Sequence, residues 1–338
     1  MGDKSGIEWT DATWNPVTGC TKVSQGCKYC YAERIFHRAY GSARVGDASS
    51  GEERPREFTD IRMHPDRLDQ PLRWKRPRRI FVNSMSDLFH PDAPDDFLLK
   101  VFEVMTQSEN GYAVTLGKLI TQHTFQILTK RPARMLDFCS RLCLGEGALY
   151  LAERDNSQSK YIMRLLRHVW LGVSIEDQAT ADERIPFLLQ TPAAVRFVSY
   201  EPALGPVDFK LDHLKRVAIK DDGVKRLDWI IAGGESGPRA RPSHPDWFRS
   251  VREQCAAAGV PFFFKQWGEW APRSHISPDF QSHNVHWGTI CADGKFFPQT
   301  TPWNGHDDDG FGEAIMVRVR KKAGGRLLDG RIHEDYPL

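Results

Sequence analysis

Six short runs of β-branched and aromatic residues recur along the chain, each leading through polar or glycine-bearing residues into a longer stretch of helical period. The runs are Arg79 to Asn83, Thr124 to Leu128, Val169 to Val173, Val195 to Ser199, Trp229 to Ala232 and Pro261 to Phe264. Helices are predicted over Pro94 to Gln107, Arg131 to Leu144, Gln178 to Gln190 and Pro245 to Ala258. Continuous apolar runs are what strands covered on both faces require, and a repeated β-then-α order builds a parallel sheet. The fold class expected is α/β, a complete or partial parallel (β/α) barrel of the TIM type with a C-terminal appendage. The Gly-x-Gly-x-x-Gly turn of a dinucleotide-binding sheet is absent. Two strand ends of like form, Val173 to Glu176 and Val198 to Glu201, fit successive units of a barrel; chance is the competing explanation.

Residues 1–270 are expected to form the barrel and 271–338 the appendage, because no long linker precedes the change of texture after Trp270. Three segments interrupt the alternation: a polar loop from Tyr40 to Pro65, expected to be mobile, an excursion from Glu109 to His123, and a charged helical stretch within Gly145 to His168. The composition, 40% hydrophobic and 27% charged with net charge +2, excludes a mainly disordered chain and makes no demand for nucleic acid. No run approaches the ~18 apolar residues of a spanning helix, and the amino terminus lacks the apolar block of a secretion signal. The expectation is a cytoplasmic protein with no membrane contact.

Three of the seven cysteines, Cys20, Cys27 and Cys30, fall within eleven residues in the pattern C-x6-C-x2-C. They follow an apolar lead-in from Trp9 to Val17 and open into Tyr31-Ala-Glu-Arg-Ile-Phe, the strand, loop and helix of a first βα unit. Three thiolates on one loop can hold three corners of a cubane iron–sulfur cluster and leave the fourth iron without a protein ligand. A zinc site, completed by His37 or a distant side chain, is the competing reading of the spacing.

In this setting the chain resembles the radical S-adenosylmethionine superfamily, in which a cysteine-rich loop after the first barrel strand binds a [4Fe–4S] cluster; Tyr29 matches the aromatic residue common before the last cysteine. The strings IEWTDATWNPVTGC, FVNSMSDLFH, LTKRP, WLGVSIE, GGESG, FFFKQWGEW and KKAGGRLLDG together resemble, more narrowly, a phage- and prophage-associated three-cysteine-motif family of unassigned function, from about Ile7 to Pro337. The resemblance implies an enzyme that chelates S-adenosylmethionine at the open iron, cleaves it reductively with an electron from a donor, and generates a 5′-deoxyadenosyl radical.

Polar residues at the carboxyl ends of the strands would line one mouth of such a barrel. Ser84, Asp87, Lys130, Ser174, Glu176, Glu201, Gly234 and Glu235 are the candidate cofactor-binding residues, with Thr129, Tyr200 and Lys265 to Trp267 beside them. Lys130 suits the carboxylate of S-adenosylmethionine, and Glu176 or Glu201 its ribose hydroxyls. Gly233-Gly234-Glu235 resembles the superfamily's Gly-Gly-Glu element, whose glycines admit the cofactor's methionine end. The basic run from Leu72 to Arg79 encloses Trp74, and Arg318 to Lys322 repeats the charge, so a nucleic acid or nucleotide substrate is open. A zinc-stabilised, non-catalytic nucleic-acid-binding protein is the alternative. A hydrolase using Asp87, His90 or the strand-end glutamates ranks last, since no nucleophile motif accompanies them.

Overall fold

Strand order follows chain order. In the computed structural model, seven strands, β1 (Ala12–Trp14), β2 (Arg79–Val82), β3 (Thr124–Thr129), β4 (Val169–Ile175), β5 (Val195–Tyr200), β6 (Trp229–Gly233) and β7 (Phe262–Gln266), form one sheet in the order β1 to β7. The residues described are 5–40, 44–46, 53–108, 112–113, 118–119, 122–142, 150–155, 160–210, 214, 226–276, 286–299 and 312–337. With parallel pairing and right-handed crossovers, an order that never reverses places successive helices on one face, the succession of a partial (β/α) barrel rather than a doubly wound sheet. The helices are α1 (Tyr31–Tyr40), α2 (Asp95–Gln107), α3 (Pro132–Leu142), α4 (Gln178–Gln190) and α5 (Pro245–Ala258). Among the described residues no helix is long and apolar enough to cross a membrane.

The chain divides into two compact units, the first holding 1–173, 190–196 and 220–223, the second holding the rest. In the first unit, register explains the core. Ala12, Ile80, Phe125 and Val169 stand side by side across four strands, and Trp14, Val82, Ile127 and Leu171 form the next row; all eight are 0% exposed. The alternation of two residues puts both rows on one face. His168 ties that face to α2, its ring 5.9 Å from Phe125 and its Nε2 2.8 Å from the Met105 carbonyl oxygen.

Between α3 and β4 the charged stretch within Gly145 to His168 is not helical. Tyr150–Asp155 and Lys160–Leu165 pair antiparallel across a complete six-residue ladder, which satisfies the backbone between strands instead of along a helix. The expected loop from Tyr40 to Pro65 and the excursion from Glu109 to His123 lie partly outside the described residues. Within them, Arg44–Gly46 pairs with Glu53–Pro55 and Tyr112–Ala113 with Lys118–Leu119.

The second unit carries the residues expected as an appendage. Trp270–Pro272, Trp287–Cys291, Phe296–Gln299 and Glu313–Arg318 form a four-stranded antiparallel sheet. The C-terminal tail then lies against β7: Phe264 N–H donates to the His333 carbonyl at 2.9 Å and Asp335 N–H to the Phe262 carbonyl at 3.2 Å, with an antiparallel bridge from Phe263 to Glu334. A parallel sheet that ends in an open edge exposes unpaired backbone groups, and this tail pairs them. Trp229 Nε1–H donates to the Asp335 carbonyl, and the Tyr336 ring sits 5.1 Å from Trp229 and 5.5 Å from Phe263.

Asp329 fastens the same tail to α5, accepting from Arg249 Nε at 2.9 Å and Arg252 Nη1 at 2.7 Å. The Arg249 hydrogen bond, with Arg252 behind it, holds the Asp329 carboxyl down at about 2. A carboxyl depressed on folding stabilises above its unfolded pKa near ~4 and loses that contribution as pH falls toward 2. At a side chain one-third exposed, screening reduces it to about 1 kcal/mol. Asp329→Asn is therefore expected to lower stability by about that amount at pH 7 and to match the parent near pH 2 in urea titrations; a loss that persists unchanged in acid contradicts this clamp.

Candidate functional site

Three loops that leave the carboxyl ends of neighbouring strands β1, β2 and β3 are bound to one another by buried polar groups. Asn15, 1% exposed, accepts through Oδ1 from Met85 N–H at 2.9 Å and the Ser84 hydroxyl at 3.2 Å. Asn83 answers from the other loop: its N–H donates to the Trp14 carbonyl at 2.7 Å and its Oδ1 accepts from Val17 N–H at 3.4 Å. Its φ of 61° lies in the left-handed region that asparagine tolerates. The Ser86 hydroxyl donates to the Val17 carbonyl, and Tyr31, the first residue of α1, donates its hydroxyl to the Ser84 carbonyl at 2.6 Å.

The turn into the first cysteine demands glycine. Gly19 has φ +93°, and a Cβ there would lie 2.5 Å from the Asp60 carbonyl oxygen and 2.9 Å from that of Phe58. The Gly19 and Cys20 N–H groups donate to the carbonyls of Met85 and Phe58. Cys20 and Cys30 then pack against one apolar cluster, Ala32, Phe36, Phe58 and Met85. Cys27 closes the short turn Gln25–Cys27, with its Sγ 3.9 Å from the Ser24 hydroxyl.

Burial pushes the Cys20 thiol up to about 11, the Asp87 carboxylate adds to the rise, and the Arg131 guanidinium opposes it. Burial raises Cys30 as well, against backbone hydrogen bonds from Glu33 and Ala32. The Cys27 thiol lies close enough to Cys20 and to Cys30 to raise each of them. At neutral pH Cys20 carries its proton, and a metal ion binding there has to displace it. Among the described residues no group of three or more His, Cys, Asp or Glu side chains stands in ready-made metal-holding geometry. His37, the sequence candidate for a fourth zinc ligand, is exposed on α1.

Behind Cys20 lies a charged network. Arg131 Nη1 donates to Cys20 Sγ at 3.6 Å and to Asp87 Oδ2 at 3.1 Å, while Nη2 donates to the Thr21 carbonyl and hydroxyl at 3.0 and 2.8 Å. Asp87 also accepts from the Thr129 hydroxyl at 2.7 Å, Lys130 N–H at 3.0 Å and Phe89 N–H at 3.0 Å. His90 accepts through Nδ1 from Asp92 N–H, leaving its Nε2 to meet the Thr21 hydroxyl at 2.9 Å. Burial, and then the charge of Arg131, lower its pKa and keep the ring neutral. The Arg131 and Asp87 side chains are only 10% and 7% exposed. Breaking such a pair by removing one partner costs about 3–5 kcal/mol.

Of the sequence candidates, Ser84, Asp87 and Lys130 thus gather with the cysteine loop in the first unit. Asp87 spends both oxygens on protein donors, which makes it a structural node. Arg131 and Thr21 were missed; the signal was an arginine directly after the strand-end pair Thr129 and Lys130.

The remaining candidates belong to the second unit. Glu176 is 0% exposed, with its carboxylate 3.2 Å from Nη1 of the equally buried Arg184, so it stabilises the interior and offers no oxygen to a ribose. The Ser174 hydroxyl donates to the Glu201 carbonyl at 3.2 Å. Glu201 and Lys265 form a half-buried pair at 2.8 and 2.9 Å. Glu235 is held by Arg241, whose Nε and Nη2 donate at 2.8 and 2.6 Å. Gly234 is needed for a different close approach from the one expected: a Cβ there would lie 1.9 Å from the Trp267 carbonyl oxygen, so neighbouring backbone, not a cofactor, fills the space.

The basic run also changes meaning. Trp74 is 8% exposed, edge-on to His123 at 5.8 Å and covered by Arg78 at 5.0 Å, which leaves no face for stacking a base. Arg73 pairs with Asp69 and Arg79 with Asp11. The run precedes β2, at the opposite end of that strand from the loop containing Ser84 and Asp87.

A protein family described as a protein of unknown function, DUF5131, matches residues 4–337. No curated protein and no solved structure matches the chain.

Gly19→Ala is expected to lower stability by at least about 2 kcal/mol, because left-handed strain and a backbone clash add. Urea denaturation checks it; an unchanged midpoint with an unchanged slope contradicts the reading of this turn.

Proposed function

We propose that this chain, which belongs to the DUF5131 family over nearly its whole length, is a radical S-adenosylmethionine enzyme that holds a [4Fe–4S] cluster through Cys20, Cys27 and Cys30. The observation that supports the reading is the placement of three cysteines in the segment between the first parallel strand and α1, with Cys20 and Cys30 packed on a shared apolar cluster and Cys20 against a guanidinium. The donor set fits the group. A cluster bound by three thiolates carries negative charge, and Arg131 supplies a permanent positive charge and a hydrogen bond at one sulfur. When bound, the cluster and S-adenosylmethionine supply one-electron reductive cleavage of a sulfonium, with the electron coming from an external donor.

The chain's own contribution is position and exclusion. Ala32, Phe36, Phe58 and Met85 keep water from the backs of Cys20 and Cys30. Asn15 and Asn83 fix the loop that presents Ser84, and the Lys130 backbone is pinned by Asp87, so the lysine and the serine are the first-unit groups to engage a carboxylate and an ammonium. With Trp74 buried, a nucleic-acid or nucleotide substrate rests on charge alone and forms no part of the proposal.

The test is anaerobic reconstitution followed by iron, sulfide and zinc analysis. The expected product is brown, oxygen-sensitive, and contains about four iron and four sulfide per chain. Alanine at any one of Cys20, Cys27 or Cys30 is expected to abolish retention while far-ultraviolet circular dichroism stays unchanged. A colourless protein with about one zinc per chain, or a triple variant that keeps its iron and spectrum, refutes the assignment.

A further inference from the structure

We propose that Arg131 is a positioning residue that fixes the Cys20 sulfur and makes a cluster held there easier to reduce, with Asp87 as the opposing charge. The inference rests on the iron–sulfur reading above and assigns regulation of the same site. The Arg131 guanidinium makes four hydrogen bonds, to Cys20 Sγ, Asp87 Oδ2, the Thr21 carbonyl and the Thr21 hydroxyl. It therefore joins the cysteine loop to the loops after β2 and β3. A guanidinium stays protonated at any working pH, and this one is only 10% exposed, so water screens its charge little.

Hydrogen bonds to ligand sulfur and nearby fixed charge are the protein's levers on a cluster's reduction potential. Reduction adds one electron, and hence one negative charge, which a cation at the sulfur favours. The Asp87 carboxylate works against it, and three further donors, the Thr129 hydroxyl and the N–H groups of Lys130 and Phe89, prevent it from moving away. The carboxylate hydrogen-bonds the guanidinium; the hydrogen-bond partners of the Cys20 thiol are Arg131 and the Thr21 carbonyl. Removing either charge should thus shift the potential in opposite directions, a signature that a merely structural pair would not give.

The experiment is a redox titration of the anaerobically reconstituted full-length chain with dithionite and mediators, following the electron paramagnetic resonance of the one-electron-reduced cluster. Arg131→Gln is expected to shift the midpoint to more negative potential and Asp87→Asn to more positive potential. Arg131→Lys, which keeps the charge and loses the fork, is expected to stay closer to the parent than Arg131→Gln does. Where Arg131→Gln does not fold, Asp87→Asn and Arg131→Lys decide: a positive shift in the first with a small negative one in the second supports the proposal. Loaded variants whose midpoints coincide with the parent, or move in the same direction, overturn it and leave the cluster assignment standing. A parent chain that retains no iron overturns both.

Discussion

The cysteine site depends on polar groups that bind three strand-end loops into one body. Adjacent parallel strands bring those loops together, but apolar rows such as Trp14, Val82 and Ile127 fix only the sheet beneath them. Above the sheet the backbone is irregular, and each buried N–H or carbonyl needs a named partner. Asn15 and Asn83 supply partners between the first two loops, while Asp87 and Arg131 bring in the third. The result is a rigid cradle in which Cys20 follows a glycine that no other residue can replace without a clash.

Charge is distributed unevenly between exposed and buried positions. Of the arginines beside Trp74, Arg73 and Arg79 pair with Asp69 and Asp11 and Arg78 lies over its ring, and these contacts near the surface contribute little beyond local packing. The buried ones do more: Arg184 neutralises Glu176 in the second unit, and Arg131 neutralises Asp87 while touching a cysteine. A buried cation with two kinds of partner is a means of coupling architecture to chemistry, because its position cannot relax without breaking the architecture.

The regular elements were largely legible in the sequence because burial on both faces leaves strands as continuous apolar runs. The helices over Gln178–Gln190 and Pro245–Ala258 begin and end where periodicity places them. The ladder formed by Tyr150–Asp155 and Lys160–Leu165 was misread as helix, since its charged residues mimic a solvated helical face. At the site, spacing pointed to the cysteines and strand-end position pointed to Ser84, Asp87 and Lys130. What spacing cannot convey is which way a carboxylate turns: Glu176 and Glu201 end like tetrapeptides, yet one is sealed with Arg184 and the other stays partly exposed beside Lys265. Gly234 was recognised as a position of close approach, and the approaching group proved to be the Trp267 backbone.

The central claim is that three sulfurs serve one metal centre, and differential alkylation read by mass spectrometry tests it most directly. Chain loaded anaerobically with iron and sulfide, and chain left unloaded, would each be labelled with iodoacetamide under native conditions. Cys20, Cys27 and Cys30 should all lose labelling together on loading, while Cys291, which lies outside the cluster, labels equally in both samples. Protection of only one or two of the three, or labelling of all three that is indifferent to loading, would contradict a shared centre.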